Sequence, residues 1–204
     1  MATKFQRIFN QLDDLNSERS KYLSRMFGIF SEKIVAIWAN DDRAPYENLG
    51  RPTIRVPERT RGHTLDFTFK DRATGNIYAA EMKCEIEYQN FGYFVLEASH
   101  QVDRHKKPAF EAFMKLARWP AEQDVRVQGK EVKVDGAILV WGAISTGAKD
   151  AIIAERGFHN ILSVEDICWD LVSWKNTEYI EMIERYRTWS NRLFDGLISP
   201  DSPT

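Results

Sequence analysis

Two alternating runs joined by a short turn constrain this chain more than any other feature. Residues 64–70 place Leu65, Phe67 and Phe69 on one side, and residues 77–86 place Tyr78, Ala80, Met82, Cys84 and Ile86 on one side. Period-two alternation is the signature of half-buried strands. The intervening Asp-Arg-Ala-Thr-Gly-Asn, residues 71–76, is turn chemistry, with Gly75 free to take a positive φ. An antiparallel hairpin is predicted. A loop from Arg72 to Gly75 pairs Asp71 with Asn76 and Lys70 with Ile77. The same register, carried back, pairs Asp66 with Glu81 and Thr64 with Lys83. The polar face then holds Thr64, Asp66, Thr68 and Lys70 beside Ala79, Glu81, Lys83 and Glu85.

The flanking segments supply a context. Phe5, Ile8, Phe9, Leu12 and Leu15 recur at helical spacing, as do Met26, Ile29, Phe30, Ile34 and Ile37 within residues 22–38. Asn16 and Ser17 break or bend that pair of helices. Residues 40–52 read as a loop and residues 53–56 as a short strand. A helix is predicted over 108–119, with Pro108 at its first position. Residues 125–134 form a small excursion around Gly129. Residues 137–141 are continuously apolar, the mark of a strand covered on both faces. A short helix over 149–156 stops at Gly157, and residues 160–162 suit one more strand. Ser163 to Asp166 resembles a capping box that opens a helix through Trp174. Tyr179, Met182, Ile183, Tyr186, Trp189, Leu193 and Leu197 form one stripe of a last helix. The order predicts an α/β fold with a mixed sheet flanked by helices. One domain is expected, with its core over about 25–165 and helical additions at 1–24 and 166–198.

Composition narrows the function classes. Among 204 residues the formal net charge is −2, so bulk charge does not draw this chain to nucleic acid. Local basic runs have to do that. Two cysteines, Cys84 and Cys168, supply neither a disulfide framework nor zinc-ligand spacing. No apolar signal core opens the sequence, and the longest apolar run, over residues 136–144, is too short to span a bilayer. A cytoplasmic protein is expected. Phosphate loops, nucleophile elbows and cysteine–histidine pairs with supporting context are not found.

The hairpin face carries chemistry. Residues paired across strands lie about 4.5–5.5 Å apart at Cβ. Two carboxylates that close repel unless a cation stands between them. Mg²⁺ accepts one or two carboxylates and keeps several waters; the Met82 carbonyl offers a third oxygen. A lysine beside metal-bound water can orient it or stabilise developing charge, which is what attack on a phosphodiester requires. An amphipathic hairpin whose polar face simply meets water satisfies the same pattern.

Asp66, fourteen intervening residues, then Glu81-Met82-Lys83 on consecutive strands resemble the PD-(D/E)xK nuclease superfamily. Its αβββαβ core is similar to the element order from about residue 25 to residue 142. The resemblance implies a restriction-endonuclease-like fold, Mg²⁺ (with Mn²⁺ able to substitute) on Asp66 and Glu81, and water positioning by Lys83. It implies a metal-dependent DNA endonuclease of restriction or repair type. The alternative is a catalytically inactive domain on the same scaffold that binds nucleic acid or protein. Leu65 stands where the family motif has proline. Some members add an acid from the first core helix; Glu32, among small and apolar neighbours, is the candidate, with Glu18 as the alternative, and Glu85 and Glu97 are further acids that could approach the metal. Gln101, Arg104, His105, Lys106 and Lys107 before the helix at Pro108 suit a grip on the DNA backbone. Arg61 and His63, with Arg55 and Arg59, form a second basic run. Cutting both strands of a duplex favours a homodimer.

Overall fold

The structure is a computed structural model and describes residues 17–56, 61–84 and 94–199. The helical stripe over residues 5–15, together with Arg59 and Glu85, lies outside the described residues. The chain divides into two compact units, the first ending at Ile167 and the second beginning at Cys168.

The first unit opens with helix α1 (Ser17–Asn40). Strands β1 (Tyr46–Asn48), β2 (Pro52–Ile54), β3 (His63–Thr64), β4 (Phe67–Asp71), β5 (Ile77–Lys83) and β6 (Val95–Leu96) follow. A 3-10 helix, Ser99–Arg104, leads into α2 (Pro108–Arg118). Then come β7 (Val125–Val127), β8 (Lys130–Glu131), β9 (Gly136–Trp141), β10 (Ala143–Ile144), α3 (Lys149–Arg156) and β11 (Asn160–Ser163). Helix α4 (Val164–Ser173) starts where the Ser163 hydroxyl accepts from the Asp166 N–H at 3.2 Å. That is the Ser half of the predicted capping box.

The main sheet is mixed, with order β1-β4-β5-β9-β11. β1, β4 and β5 form an antiparallel meander, and β9 and β11 run parallel to β5. The link from β5 to β9 passes through α2, as a parallel crossover demands. Gly136 to Trp141 is buried at every position, the consequence of a strand with cover on both faces. On one face Tyr46, Phe67, Phe69 and Tyr78 pack as an aromatic layer, and Trp38 of α1 joins it through Tyr46. On the other, Ala79, Ala137, Leu139 and Trp141 form a core with Phe110, Phe113 and Leu116 of α2.

The hairpin register is the predicted one between Lys70 and Ile77 and back to Phe67 opposite Ala80. There it stops. Asp66 is a bend, and Thr64 pairs with Thr53 in a second sheet of order β3-β2-β7-β8. The expected Thr64–Lys83 pair is therefore absent. Leu65 does not share the face of Phe67 and Phe69; it lies in the core with Ala79 and Phe110. β1, inside the expected loop at 40–52, is a further strand, and β6 pairs in parallel with β10. Gln128 and Gly129, at φ 51 and 79, turn β7 into β8 as a two-residue hairpin, and Gly157, at φ 78, ends α3.

In the second unit α5 (Thr177–Ile198) is capped by Asn176, whose side-chain oxygen accepts from the Tyr179 N–H at 2.9 Å. Met182 on its stripe is buried, while Trp189, Leu193, Leu197 and Ile198 are exposed. Among the described residues no helix is long and apolar enough to cross a membrane.

Candidate active site

At the C-terminal end of β5, Glu81 and Lys83 stand opposite Leu139 and Trp141 of β9. Their face is the α2 side of the sheet. It is not the open patch expected of an amphipathic hairpin. Glu81 is 7% exposed, and Thr68 on the same face is fully buried.

Asp66 reaches this point because its strand bends. Its Oδ2 accepts from the Met82 N–H at 2.8 Å. Glu81 Oε1 accepts from Lys83 Nζ at 2.5 Å, and Nζ also donates to the Met82 carbonyl at 3.0 Å. Nζ lies 5.5 Å from the Phe110 ring centre, within cation–π range. Met82 thus contributes only backbone: its N–H fixes Asp66 and its carbonyl faces Lys83.

The second oxygen of Glu81 is buried and has no hydrogen-bond partner among the described residues. Burial pushes the Glu81 carboxyl above its ordinary range, the Asp66 carboxylate pushes the same way, and Lys83 opposes both. Two carboxylates held together, one with an unsatisfied buried acceptor, are a donor set for a hard cation. No group of three His, Cys, Asp or Glu side chains is placed for a metal among the described residues. A cation here would take the two carboxylates, with the Met82 carbonyl beside them, and fill its remaining positions with water or substrate oxygen.

Arg51 is the residue that sequence reasoning missed. Its Nη2 lies 3.3 Å from Asp66 Oδ1, its Nε donates to the Leu65 carbonyl at 3.2 Å, and its Nη1 lies 4.0 Å from Glu32 Oε2. It sits in the connection before β2, where no periodicity marks it. Its proximity to Asp66 follows only from β2 and β3 pairing. Glu32 does not face inward as expected. It is exposed, as are Gly28 and Ile29, whereas its other small and apolar neighbours turn inward, Val35 fully buried and Ala36 half-buried. Glu32 instead lines a groove of about 420 Å³ with Lys33, Asn48, Arg51, Asp66 and Phe67, and it reaches the site through Arg51. Glu18 and Glu97 are exposed.

The expected DNA-contact residues divide. Gln101 is buried: its oxygen accepts from the Glu97 and Ala98 N–H groups at 2.7 and 2.9 Å, and its amide donates to the Val95 carbonyl at 2.9 Å. It locks the turn after β6 and does not face solvent. His105 packs on Phe110 and Trp141, with ring centres 4.9 and 5.9 Å away. Burial, and after it the cations Lys83, Arg104 and Lys107, lower its pKa to about 4. It is neutral at pH 7 and brings no charge to a phosphate. Arg104 is half-buried, whereas Lys106 and Lys107 are exposed just before α2. His63, half-buried, opens the edge strand of the second sheet, and Arg61, exposed, lies two residues before it. Comparison with protein-family models, curated proteins and solved structures finds no match.

Proposed function

We propose that this protein is a divalent-metal-dependent DNA endonuclease of the PD-(D/E)xK type, on a restriction-endonuclease-like core. The meander β1-β4-β5 after α1, followed by α2 and parallel β9, supports the αβββαβ order. The observation that carries the reading is the meeting of Asp66 and Glu81 around a buried, unpartnered carboxylate oxygen, with Lys83 on the same carboxylate.

Asp66 and Glu81 are the metal ligands in this reading, with the Met82 carbonyl as a third oxygen. A bound Mg²⁺ or Mn²⁺ supplies Lewis-acid polarisation of a phosphoryl oxygen and activation of water. Lys83 presents its ammonium where charge develops on the phosphoryl oxygens. The Met82 N–H keeps Asp66 from rotating away. Phe110 and Trp141 close the sheet side of the site with apolar surface, which strengthens every charge interaction there. Lys106 and Lys107 are the exposed cations suited to the flanking backbone phosphates. A second copy of the chain supplies the second active site for the opposite strand.

One observation favours a second reading, a nucleic-acid or protein binding module without catalysis: no third carboxylate or imidazole completes the donor set among the described residues. Incubation of plasmid, linear, single-stranded and branched DNA with Mg²⁺ separates the two. The nuclease cuts at least one substrate, and Lys83→Ala abolishes cutting while leaving DNA affinity nearly intact, because a group acting mainly in the transition state lowers turnover more than ground-state binding. Wild-type protein that binds DNA and never cuts it establishes the binding module.

A further inference from the structure

The carboxylate pair has two cations on it, and they differ in kind. Lys83 is mostly buried and bonded to both Glu81 and the Met82 carbonyl. Arg51 is 58% exposed at its side chain and sits on the solvent side of Asp66, at the edge of the groove that Lys33 and Glu32 also line. One edge of the Arg51 guanidinium is anchored by Nε on the Leu65 carbonyl. Nη2 touches Asp66 Oδ1, the very oxygen left over after Oδ2 has taken the Met82 N–H. Asp66 and Glu81 would hold a divalent ion, and Oδ1 is the Asp66 oxygen not committed to the backbone.

We propose that Arg51 is the residue that binds the substrate phosphate at this site, held on Asp66 until a divalent cation displaces it. The inference rests on the metal-site reading above. With the site metal-free, Arg51 and Lys83 balance Asp66 and Glu81, and an incoming phosphodiester meets no net positive charge there. A divalent ion held by Asp66 and Glu81 would add two positive charges and compete with Arg51 for Asp66 Oδ1. The guanidinium then loses its carboxylate while its Nε anchor keeps it at the rim, with Nη groups turned to the groove. A phosphate oxygen on the metal lies within the reach of that fork, and a planar guanidinium suits a phosphate in two-point contact. DNA binding at the active site becomes conditional on metal. Glu32, 4.0 Å from Nη1, steadies the guanidinium in the meantime.

The consequence is a pair of opposite effects in one variant. Arg51→Ala removes the competitor for Asp66 and also the phosphate ligand. Calorimetric titration of the full chain with Mn²⁺ alone should show the variant binding roughly three- to tenfold tighter than wild type, the scale of an exposed ion pair facing a divalent ion. In a Lys83→Ala background, which permits binding to be read without cutting, duplex oligonucleotide affinity with Mn²⁺ should fall roughly tenfold on adding Arg51→Ala. Arg51→Lys keeps the charge and loses the Leu65 anchor; its Mn²⁺ affinity should stay within about twofold of wild type, with duplex affinity between the other two. A purely structural arginine would weaken Mn²⁺ and DNA together. Mn²⁺ binding by wild type that Arg51→Ala leaves unchanged or weakens overturns the role of Arg51 and leaves the metal site standing. No Mn²⁺ binding by any form overturns both.

Discussion

Replacing Glu81 by Gln should stabilise the metal-free protein while destroying its metal site. Glu81 has one oxygen on Lys83 and a second that is buried and unpartnered, with the Asp66 carboxylate beside it. A buried unsatisfied acceptor costs about 1–3 kcal/mol. Gln is the same size, keeps an oxygen for Lys83, and turns the orphaned position into a donor facing Asp66. The repulsion is replaced by a hydrogen bond. Against this, the Lys83 contact falls from an ion pair to a bond with a neutral acceptor. The gain should outweigh the loss by about 1–2 kcal/mol, which in a chain near this size raises Tm by about 2–8 °C. Thermal unfolding in EDTA at neutral pH measures it. The sign of the pH dependence is fixed by the raised carboxyl. A folded state that holds the proton more tightly than the unfolded one carries its penalty above the folded pKa. That penalty disappears as pH falls through the raised value toward the ordinary 4.5, so the advantage of Gln should shrink on acidification. Saturating Mg²⁺ should reverse the order, since wild type gains about 2.7 kcal/mol at a hundredfold excess over Kd and the variant gains little. A Gln variant less stable than wild type in EDTA at neutral pH would refute the account of a strained carboxylate pair.

Three more outcomes follow from other residues. Asp66→Asn keeps an acceptor for the Met82 N–H, whereas Asp66→Ala leaves that donor orphaned; both should lose Mn²⁺ binding, but Ala alone should lower Tm, by an amount matching about 1–3 kcal/mol. His105, with a pKa near 4, binds its proton in the unfolded chain before the folded one, so its contribution to stability is complete above about 6.5 and is lost as pH falls toward 4; urea titrations of His105→Gln should show a flatter acid limb over that window. The exposed apolar end of α5 should mediate the dimer, and light scattering at micromolar concentration should find Leu193→Arg monomeric where wild type is not.

Much of the fold is legible from local chemistry. Pro108 at the first turn of α2, Gly157 in the left-handed conformation, the apolar run of β9 and the Asp71–Asn76 turn each have a mechanism that acts within a few residues. What the sequence conceals depends on partners distant along the chain. β1 exists because Tyr46, Glu47 and Asn48 find the free edge of β4, and its composition alone reads as loop. Ile29 and Glu32 share apolar or small neighbours, yet the face they occupy lies toward solvent, since amphipathicity over a long helix does not say which turn meets the core. Gln101 and His105 carried the composition of a basic, polar loop. Their side chains are consumed inside, one by backbone groups and the other by aromatic rings.

The carboxylate pair owes its geometry to a break in the hairpin from which it was inferred. Paired residues in β4 and β5 have numbers summing to a constant, so a continuous ladder would set Leu65 opposite Met82 and bond the Met82 N–H to the Leu65 carbonyl. Leu65 instead turns its N–H to the Pro52 carbonyl in the second sheet, and its own carbonyl is taken by Arg51. The Met82 N–H, robbed of its backbone acceptor beside a buried core, takes the Asp66 carboxylate in its place. Parity brought Asp66 and Glu81 to the same side of the sheet in either arrangement. Only the bend converts Asp66 from one more strand residue into a carboxylate clamped at one oxygen, with the other presented to Arg51. The small second sheet, which looks peripheral to the fold, is therefore what sets the donor geometry of the site: it pulls Leu65 away, positions Arg51 through Pro52, and leaves the Met82 N–H to Asp66.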